Sequence, residues 1–320
     1  MKRFFLIALL LLMSSLPTAQ TSAPAKTKAE APTSTVVDAK QLLRDVETLA
    51  SDEMQGRAPD TAGSAKAREY IVGRFKESGL KPIGDSYFQT FKFGKNTQKN
   101  GTNVIGYIKG KKTPEKYIVV TAHYDHVGVQ KGEIYNGADD NASGTAALFA
   151  LAKYFSRNQP SSSIIFAAVD AEESGFQGSK KFVAEPPVKK ESISININLD
   201  MISHNDKNEL YAVGTFHYPF LKMHLEKVKA KASVKLLFGH DTPNLTGSDN
   251  WTNSSDHAPF HSQKIPFIYF GVEDHKDYHK PTDDFVNINS EFYVRAVETV
   301  LAAVKEFDAN LVEIEKQKAN

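Results

Sequence analysis

No cysteine occurs among the 320 residues. That absence removes disulfides as a source of stability, removes thiolates from any metal site, and closes membrane attachment through a lipidated cysteine. Stability must then come from core packing, and any bound metal must be held by His, Asp and Glu. An excess of either charge is also lacking, with 39 basic side chains against 38 acidic ones. The lysine pairs Lys111-Lys112, Lys180-Lys181 and Lys189-Lys190 are too short to be more than solvated faces. Without a basic footprint for phosphate, nucleic acid is excluded as a partner. Apolar runs of the ~20 residues that a membrane-spanning helix needs are missing as well.

What the chain does have begins with a shorter apolar run, Phe4 to Met13, preceded by Lys2 and Arg3 and followed by small and polar residues. This is the pattern of a secretory signal. Residues 1–19 are expected to be a signal peptide, cleaved after Ala19 or Ala23, which predicts a periplasmic or secreted protein with no stable membrane anchor after cleavage. Residues 20–36 are Ala, Thr, Ser, Pro and Lys with little to bury, and read as a disordered linker. The remainder, 37–320, with 41% hydrophobic residues in the whole chain, suits one large domain.

Helical spacing of apolar residues runs from about Asp38 to Ala50 and from Ala62 to Gly79, the latter stopping on glycine. β-rich runs follow at Asn103 to Ile108, Tyr117 to Ala122, Ser163 to Val169, Ile193 to Leu199 and Pro266 to Gly271. Several are apolar on both faces, as strands of a covered, largely parallel sheet must be. Helices are expected between them at Ser143 to Ser156, Gly175 to Ala184 and Tyr218 to Ala232, with a long one from about Glu291 to Leu311. The alternation predicts an α/β fold: a three-layer sandwich, a mostly parallel twisted sheet covered by helices on both faces, forming a single catalytic domain.

Acidic or imidazole side chains follow one predicted strand after another. His123 and Asp125 follow the second run, Asp170, Glu172 and Glu173 the third, and Asp200 the fourth. Open α/β sheets bind ligands beyond the carboxyl ends of their strands, so groups far apart in sequence converge there. With Asp140 in "GADDNASG" and His279 in "DYHKPTDD", five positions have metal-ligand character: His123, Asp140, Glu173, Asp200 and His279. Three carboxylates and the adjacent Glu172 in one cleft repel one another. Two Zn²⁺ ions relieve this, because four positive charges meet three carboxylates and one hydroxide, and a carboxylate with two oxygens can bridge metals ~3.5 to 4 Å apart.

The segments "TAHYDHVG", "GADDNASGTAA", "DAEESGFQGS", "NLDMIS" and "DYHKPTDD", in this order, resemble the five ligand-bearing segments of the co-catalytic dizinc aminopeptidases, which include aminopeptidases S and Y and, more distantly, glutamate carboxypeptidases and glutaminyl cyclases. The likeness runs from "LASDEMQGRAPDTAGS" at Leu49 to about Phe285. It implies that His123 and Asp200 bind one zinc, that Glu173 and His279 bind the other, and that Asp140 bridges them. It also implies a general base in Glu172, a cis peptide at Asp140-Asn141, and an Asp125 carboxylate that accepts a hydrogen bond from the His123 ring and fixes its tautomer. Zinc lowers the pKa of bound water toward ~7, giving hydroxide at neutral pH. Glu172 then moves the proton to the departing amine. Tyr278, next to His279, is the candidate donor to the tetrahedral oxyanion.

Each residue has a plainer reading: a strand-end histidine, a helix cap at "ADDNASG", a charge pair in a first helical turn at Glu172-Glu173, a strand terminator at Asp200, a loop histidine at His279. Only the set reverses those readings. His275 competes with His279, and the spacing before "PTDD" favours His279. His126, His204, His257 and His261 are placed at the surface or behind the ligands, and Asp256 in "SSDHAPF" matches a recurrent segment of the resembled family near its substrate pocket. The expected activity is removal of N-terminal residues from peptides by a monomeric enzyme. Alternatives are a carboxypeptidase or other amidohydrolase on the same scaffold, or glutaminyl cyclase-like acyl transfer. The resemblance implies that the last reaction goes with one zinc and no first histidine, so His123 weighs against it.

Overall fold

The structure is a computed structural model and describes residues 32–318. The expected signal peptide 1–19 and most of the expected linker 20–36 lie outside the described residues. Among residues 32–36 there is neither helix nor strand, and the Ser34 hydroxyl donates to Glu298 Oε1 at 2.6 Å.

Among the described residues ten strands form two sheets: β1 (Phe88–Phe93), β2 (Lys99–Ile108), β3 (Thr113–His123), β4 (Gly128–Gln130), β5 (Glu133–Tyr135), β6 (Ser162–Val169), β7 (Ile193–Leu199), β8 (Glu209–Val213), β9 (Lys235–Leu237) and β10 (Phe267–Gly271). Eight make the central sheet in the order β1-β2-β6-β3-β7-β10-β8-β9, while β4 and β5 pair as a separate hairpin. The four middle strands, β6, β3, β7 and β10, are mutually parallel, and β1, β2 and β8 join antiparallel at the flanks, so the sheet is mixed with a parallel centre. Of the strands beyond the expected five, β1 ("FQTFKF") lies at one edge and β8 and β9 at the other, where half-buried sequences carry a weaker apolar signal.

Eight α-helices accompany the sheet among the described residues: α1 (Ala39–Leu49), α2 (Ala62–Glu77), α3 (Gly144–Arg157), α4 (Gln177–Ala184), α5 (Lys222–Lys229), α6 (His257–Ser262), α7 (Ser290–Ala309) and α8 (Leu311–Lys318). None of the helices among the described residues is long and apolar enough to cross a membrane. The strand period of two decides which layer each side chain joins. Along β3, Ile118, Val120 and Ala122 pack with α1, α2, α3 and α7 in the larger core. Val119 faces the other way, toward Phe182 of α4 and Phe260 of α6. The result is the expected three layers.

One expectation needs correction, and one strand departs from the apolar pattern of its neighbours. The final helix is not continuous to Leu311: α7 ends at Ala309 and, after Asn310, α8 starts anew. In β7 only one face is apolar, because Ser194, Asn196 and Asn198 are buried on the other. The amides of Asn196 and Asn198 are tied to Thr121 of β3, while Ser194 Oγ and Asn196 Oδ1 have no hydrogen-bond partner. Thr121 Oγ1 donates to Asn198 Oδ1 at 2.7 Å, and Asn196 Nδ2 donates to Thr121 Oγ1 at 3.0 Å. A buried polar group without such a partner would cost about 1 to 3 kcal/mol.

Candidate metal centre

The strand register fixes where the chemistry collects. His123 is the last residue of β3 and lies level with Val169, the last of β6, so the chain leaves both strands at one end of the sheet. Asp200 follows the last residue of β7 directly. Asp140 comes from the turn before α3, Glu172 and Glu173 from the turn after β6, and His279 from the loop after β10. All five expected metal ligands therefore meet beyond the carboxyl ends of the parallel strands, as the sequence pattern required.

Their polar atoms fall into two groups, each with ligand atoms within 4.8 Å of one another. One is His123, Glu172 and Asp200; the other is His126, Asp140, Glu173 and His279. Asp140 reaches both. Its Oδ1 is 3.3 Å from His123 Nε2, and its Oδ2 is 3.1 Å from His279 Nε2. His123 Nε2 is also 3.1 Å from Asp200 Oδ1, and His279 Nε2 is 3.1 Å from Glu173 Oε1.

Charge crowding shifts the protonation of these groups. Burial alone would lower the His123 imidazole, but the Asp200 and Glu172 carboxylates override it and raise it well above its ordinary value. Hydrogen bonds to Asp140 and Glu173 carry His279 up to about 10. Burial would raise Asp140, and the imidazoles of His126, His123 and His279 instead bring it well below the carboxylate range. Asp200 is raised by burial, against the pull of His123. Glu172 is raised well above its usual value by burial, with Asp200, Asp256 and Glu173 adding to the shift. The cluster draws positive charge to itself.

Two expectations about the site change in detail. The expected bond from the His123 ring to the Asp125 carboxylate is made instead by the Asp125 main-chain carbonyl, 3.1 Å from Nδ1, with the nearest carboxylate oxygen at 3.7 Å. That carboxylate accepts from the backbone N–H of Glu172 at 3.0 Å and of Glu173 at 3.3 Å, fixing the turn that carries both. His126 is not a surface group. It is fully buried, with Nδ1 2.9 Å from Glu173 Oε1 and 3.7 Å from Asp140 Oδ2. Its position three residues after His123, just past a strand end, was the signal available. His257 is likewise fully buried, stacked 4.7 Å from Tyr269.

Tyr278 is half-buried and stacks on the His279 ring at 4.1 Å. Burial, with Asp140, Asp200 and Glu173 nearby, raises its hydroxyl far above the ordinary value, so the O–H stays protonated. His275 turns away from the two groups, its Nε2 3.0 Å from Asp139 Oδ2. Asp256 is fully buried, and burial pushes its carboxyl up to about 6.

The support beneath the site was mostly invisible in sequence. The Asp283 carboxylate accepts from the N–H of Asp139 at 2.9 Å and of Asp140 at 3.0 Å, and the Asp140-Asn141 peptide is cis, as the resemblance implied. Asn141 links α3 to the end of β7 by donating to Leu199 O at 2.8 Å and accepting from Gly144 N at 2.9 Å. Gly137, with φ 56°, is required where it stands. A Cβ there would meet Asp140 O at 2.2 Å and the His126 ring at 2.6 Å. Arg57 is fully buried under this loop, donating to the carbonyls of Tyr124, Leu49, Asn136 and Gly137 at 2.6 to 2.9 Å. Ser255 Oγ donates to Asp200 Oδ2 at 2.7 Å and accepts from Asn198 Nδ2 at 2.8 Å.

Residues 103–304 match the family model described as peptidase family M28. The chain belongs to that family. Among M28 relatives, aminopeptidase YwaD of Bacillus subtilis is 32% identical over 249 residues, which cover 74% of this chain and 51% of that protein. A probable zinc metalloprotease of Leptosphaeria maculans is 23% identical over 274 residues, covering 75% of this chain and 63% of that one. The chain thus spans between half and two thirds of the length of these curated relatives. In fold, the M28 chain is similar to the glutaminyl cyclase of Porphyromonas gingivalis, with a TM-score of 0.71 at 20% identity over 85% of this chain and 99% of that one. It is also similar to a zinc aminopeptidase of Bacillus subtilis, with a TM-score of 0.69 at 20% identity over 88% of this chain and 96% of that one.

Proposed function

We propose that this M28 protein is an exported, monomeric zinc aminopeptidase that hydrolyses the N-terminal peptide bond of peptides. His123, Asp200, Glu173 and His279 would hold two zinc ions, with Asp140 between them. The observation that carries this reading is the placement of Asp140, whose two oxygens face separate donor groups at 3.3 and 3.1 Å. The donor set fits the metal: imidazole and carboxylate only, gathered from five segments and short of positive charge. The ions, when bound, would neutralise the carboxylates and acidify a water. Export rests on the basic and apolar opening of the chain.

The chain's own residues supply the rest. Glu172 lies in the His123 and Asp200 group, and burial raises its carboxyl, which makes its carboxylate a stronger base for taking a proton from the attacking water and returning it to the departing amine. Asp125 holds the Glu172-Glu173 turn through two backbone N–H groups and so positions the base. Tyr278 keeps its proton and can donate to the oxyanion that forms on the substrate carbonyl.

A panel of aminoacyl and N-acetylated aminoacyl substrates, assayed with and without a chelator, tests the reading. Cleavage of the free-amine series, lost on chelation and restored by zinc, is expected. Equal cleavage of the N-blocked series would transfer the protein to the carboxypeptidase or amidohydrolase reading. Cyclisation of N-terminal glutamine without hydrolysis would transfer it to acyl transfer, and full activity without metal would end the zinc reading.

A further inference from the structure

Three of the five ligand-bearing segments are tied together by a side chain that is not among the ligands. Asp139 precedes Asp140, is fully buried and belongs to neither donor group. Its Oδ1 accepts from the backbone N–H of Ser203 at 2.6 Å and from the Ser203 hydroxyl at 2.8 Å, three residues after Asp200. Its Oδ2 accepts from His275 Nε2 at 3.0 Å, four residues before His279. One carboxylate therefore spans the loop after β7, the loop after β10 and the turn that carries Asp140.

The proton on His275 is assigned by its other nitrogen. Nδ1 accepts from the backbone N–H of Asp277 at 3.3 Å, so the ring carries its proton on Nε2 and presents it to Asp139. His204 stacks on that ring, with centroids 3.8 Å apart and planes 20° from parallel, which fixes the ring plane. The grip is repeated on the far side of His279. Asp283, four residues after it, accepts from the N–H groups of Asp139 and Asp140 at 2.9 and 3.0 Å. His279 is thus flanked, at equal distances along the chain, by two residues that both hold Asp139. A carboxylate buried this completely is costly to desolvate, and apolar side chains of similar volume would serve a purely structural junction as well or better. What the carboxylate adds is direction, because its donors stand at defined points on two other loops.

We propose that Asp139 and His275 are positioning residues for the metal centre: the pair sets the spacing between Asp140 and His279, and with it the affinity of the donor group that those two share with Glu173. The inference rests on the two-zinc reading and extends it to residues outside both donor groups.

The test is a double-mutant cycle on the full chain, stripped with chelator, loaded with Co²⁺ and competed with a chromophoric chelator. His275→Phe keeps a flat ring against His204 and deletes the donor. Asp139→Asn keeps an acceptor for Ser203 and deletes the one for His275. Each single variant should bind one of the two equivalents ~10- to 100-fold more weakly and the other within about twofold of the wild type, and the double variant should lose no more than the weaker single one. His275→Gln, which retains an N–H donor and is the milder change should His275→Phe unfold, should recover part of the affinity. Unchanged affinities in the single variants, even with a lower melting temperature of the metal-free protein, would show a merely structural tie and overturn the proposal. Losses that add in the double variant would overturn it as well. A wild type that takes up a single equivalent ends the two-zinc reading by itself, and the pair then keeps its role only if that equivalent shows the same coupled loss.

Discussion

Arg57 illustrates how a single side chain can be structural and electrostatic at once. Its guanidinium donates four hydrogen bonds to carbonyls from three stretches of chain, ending at Leu49, Tyr124 and Asn136-Gly137. Burial lowers it to about 10, and Asp283, Asp140, Asp125 and Glu173 oppose that shift, so it remains charged at neutral pH beneath an acidic cluster. Arg57→Met would leave four buried acceptors without donors and is expected to cost about 3 to 5 kcal/mol, the range for breaking buried charged networks. A fall in urea midpoint at unchanged slope would register it. Arg57→Lys should recover only part of the loss, because one ammonium cannot match the five-donor fork. Glu172 gives the complementary case. Its main-chain N–H is held by Asp125 whatever its side chain, so Glu172→Gln should keep fold and metal content while turnover falls by ~10² to 10⁴. Near-normal turnover in that variant would assign the base elsewhere.

At the level of elements, the polar face of β7 reaches into the site. Thr121 of β3, Asn198 of β7 and Ser255 before α6 form a hydrogen-bonded line that ends on Asp200 Oδ2. Ser255→Ala removes the donor that orients Asp200 and should weaken metal binding by ~10- to 100-fold, with little change in melting temperature. Competition with a chromophoric chelator measures the first effect, and an unchanged affinity would show that the line is only structural. The same line marks how far the sequence could be read. The strands bearing His123 and Asp200 and the turn bearing Glu173 were legible because a buried parallel strand is a short apolar run and its polar successor stands out against it. The second face of β7 was not, since Ser194, Asn196 and Asn198 alternate with isoleucine as surface residues would, and only the position of β7 between β3 and β10 buries them. His126 escaped for a similar reason: one more histidine after a strand end gains meaning only from Glu173 coming within 2.9 Å. The turns themselves were hidden too. Ala171, Met201 and His279 take positive φ values of 58°, 57° and 51° beside or within the ligand set, which no residue type there announces.

For the molecule as a whole, buried carboxyls tie stability to both metal and pH. Burial pushes Asp170, Asp256 and Asp283 each up to about 6 from an ordinary 3.8, with Asp139 adding to the shift at Asp283. A folded-state value above the unfolded one means the folded form holds its proton more tightly. The stability that these protons contribute is then complete below about pH 3.8 and is lost as pH rises through about 6. Metal-free protein should accordingly lose melting temperature across that window. Protein loaded with zinc should lose less, because cations near ionised carboxylates offset their repulsion, and because zinc binds better as its ligands shed protons. A metal present at 100 times its dissociation constant adds about 2.7 kcal/mol to the folded state, which for a chain of this size is several degrees. The gap in melting temperature between loaded and chelated protein is therefore expected to widen from pH 4 toward pH 7. Paired thermal scans at constant ionic strength measure it, and a gap that stays flat or narrows as pH rises would show that the acidic cluster is not where the metal acts.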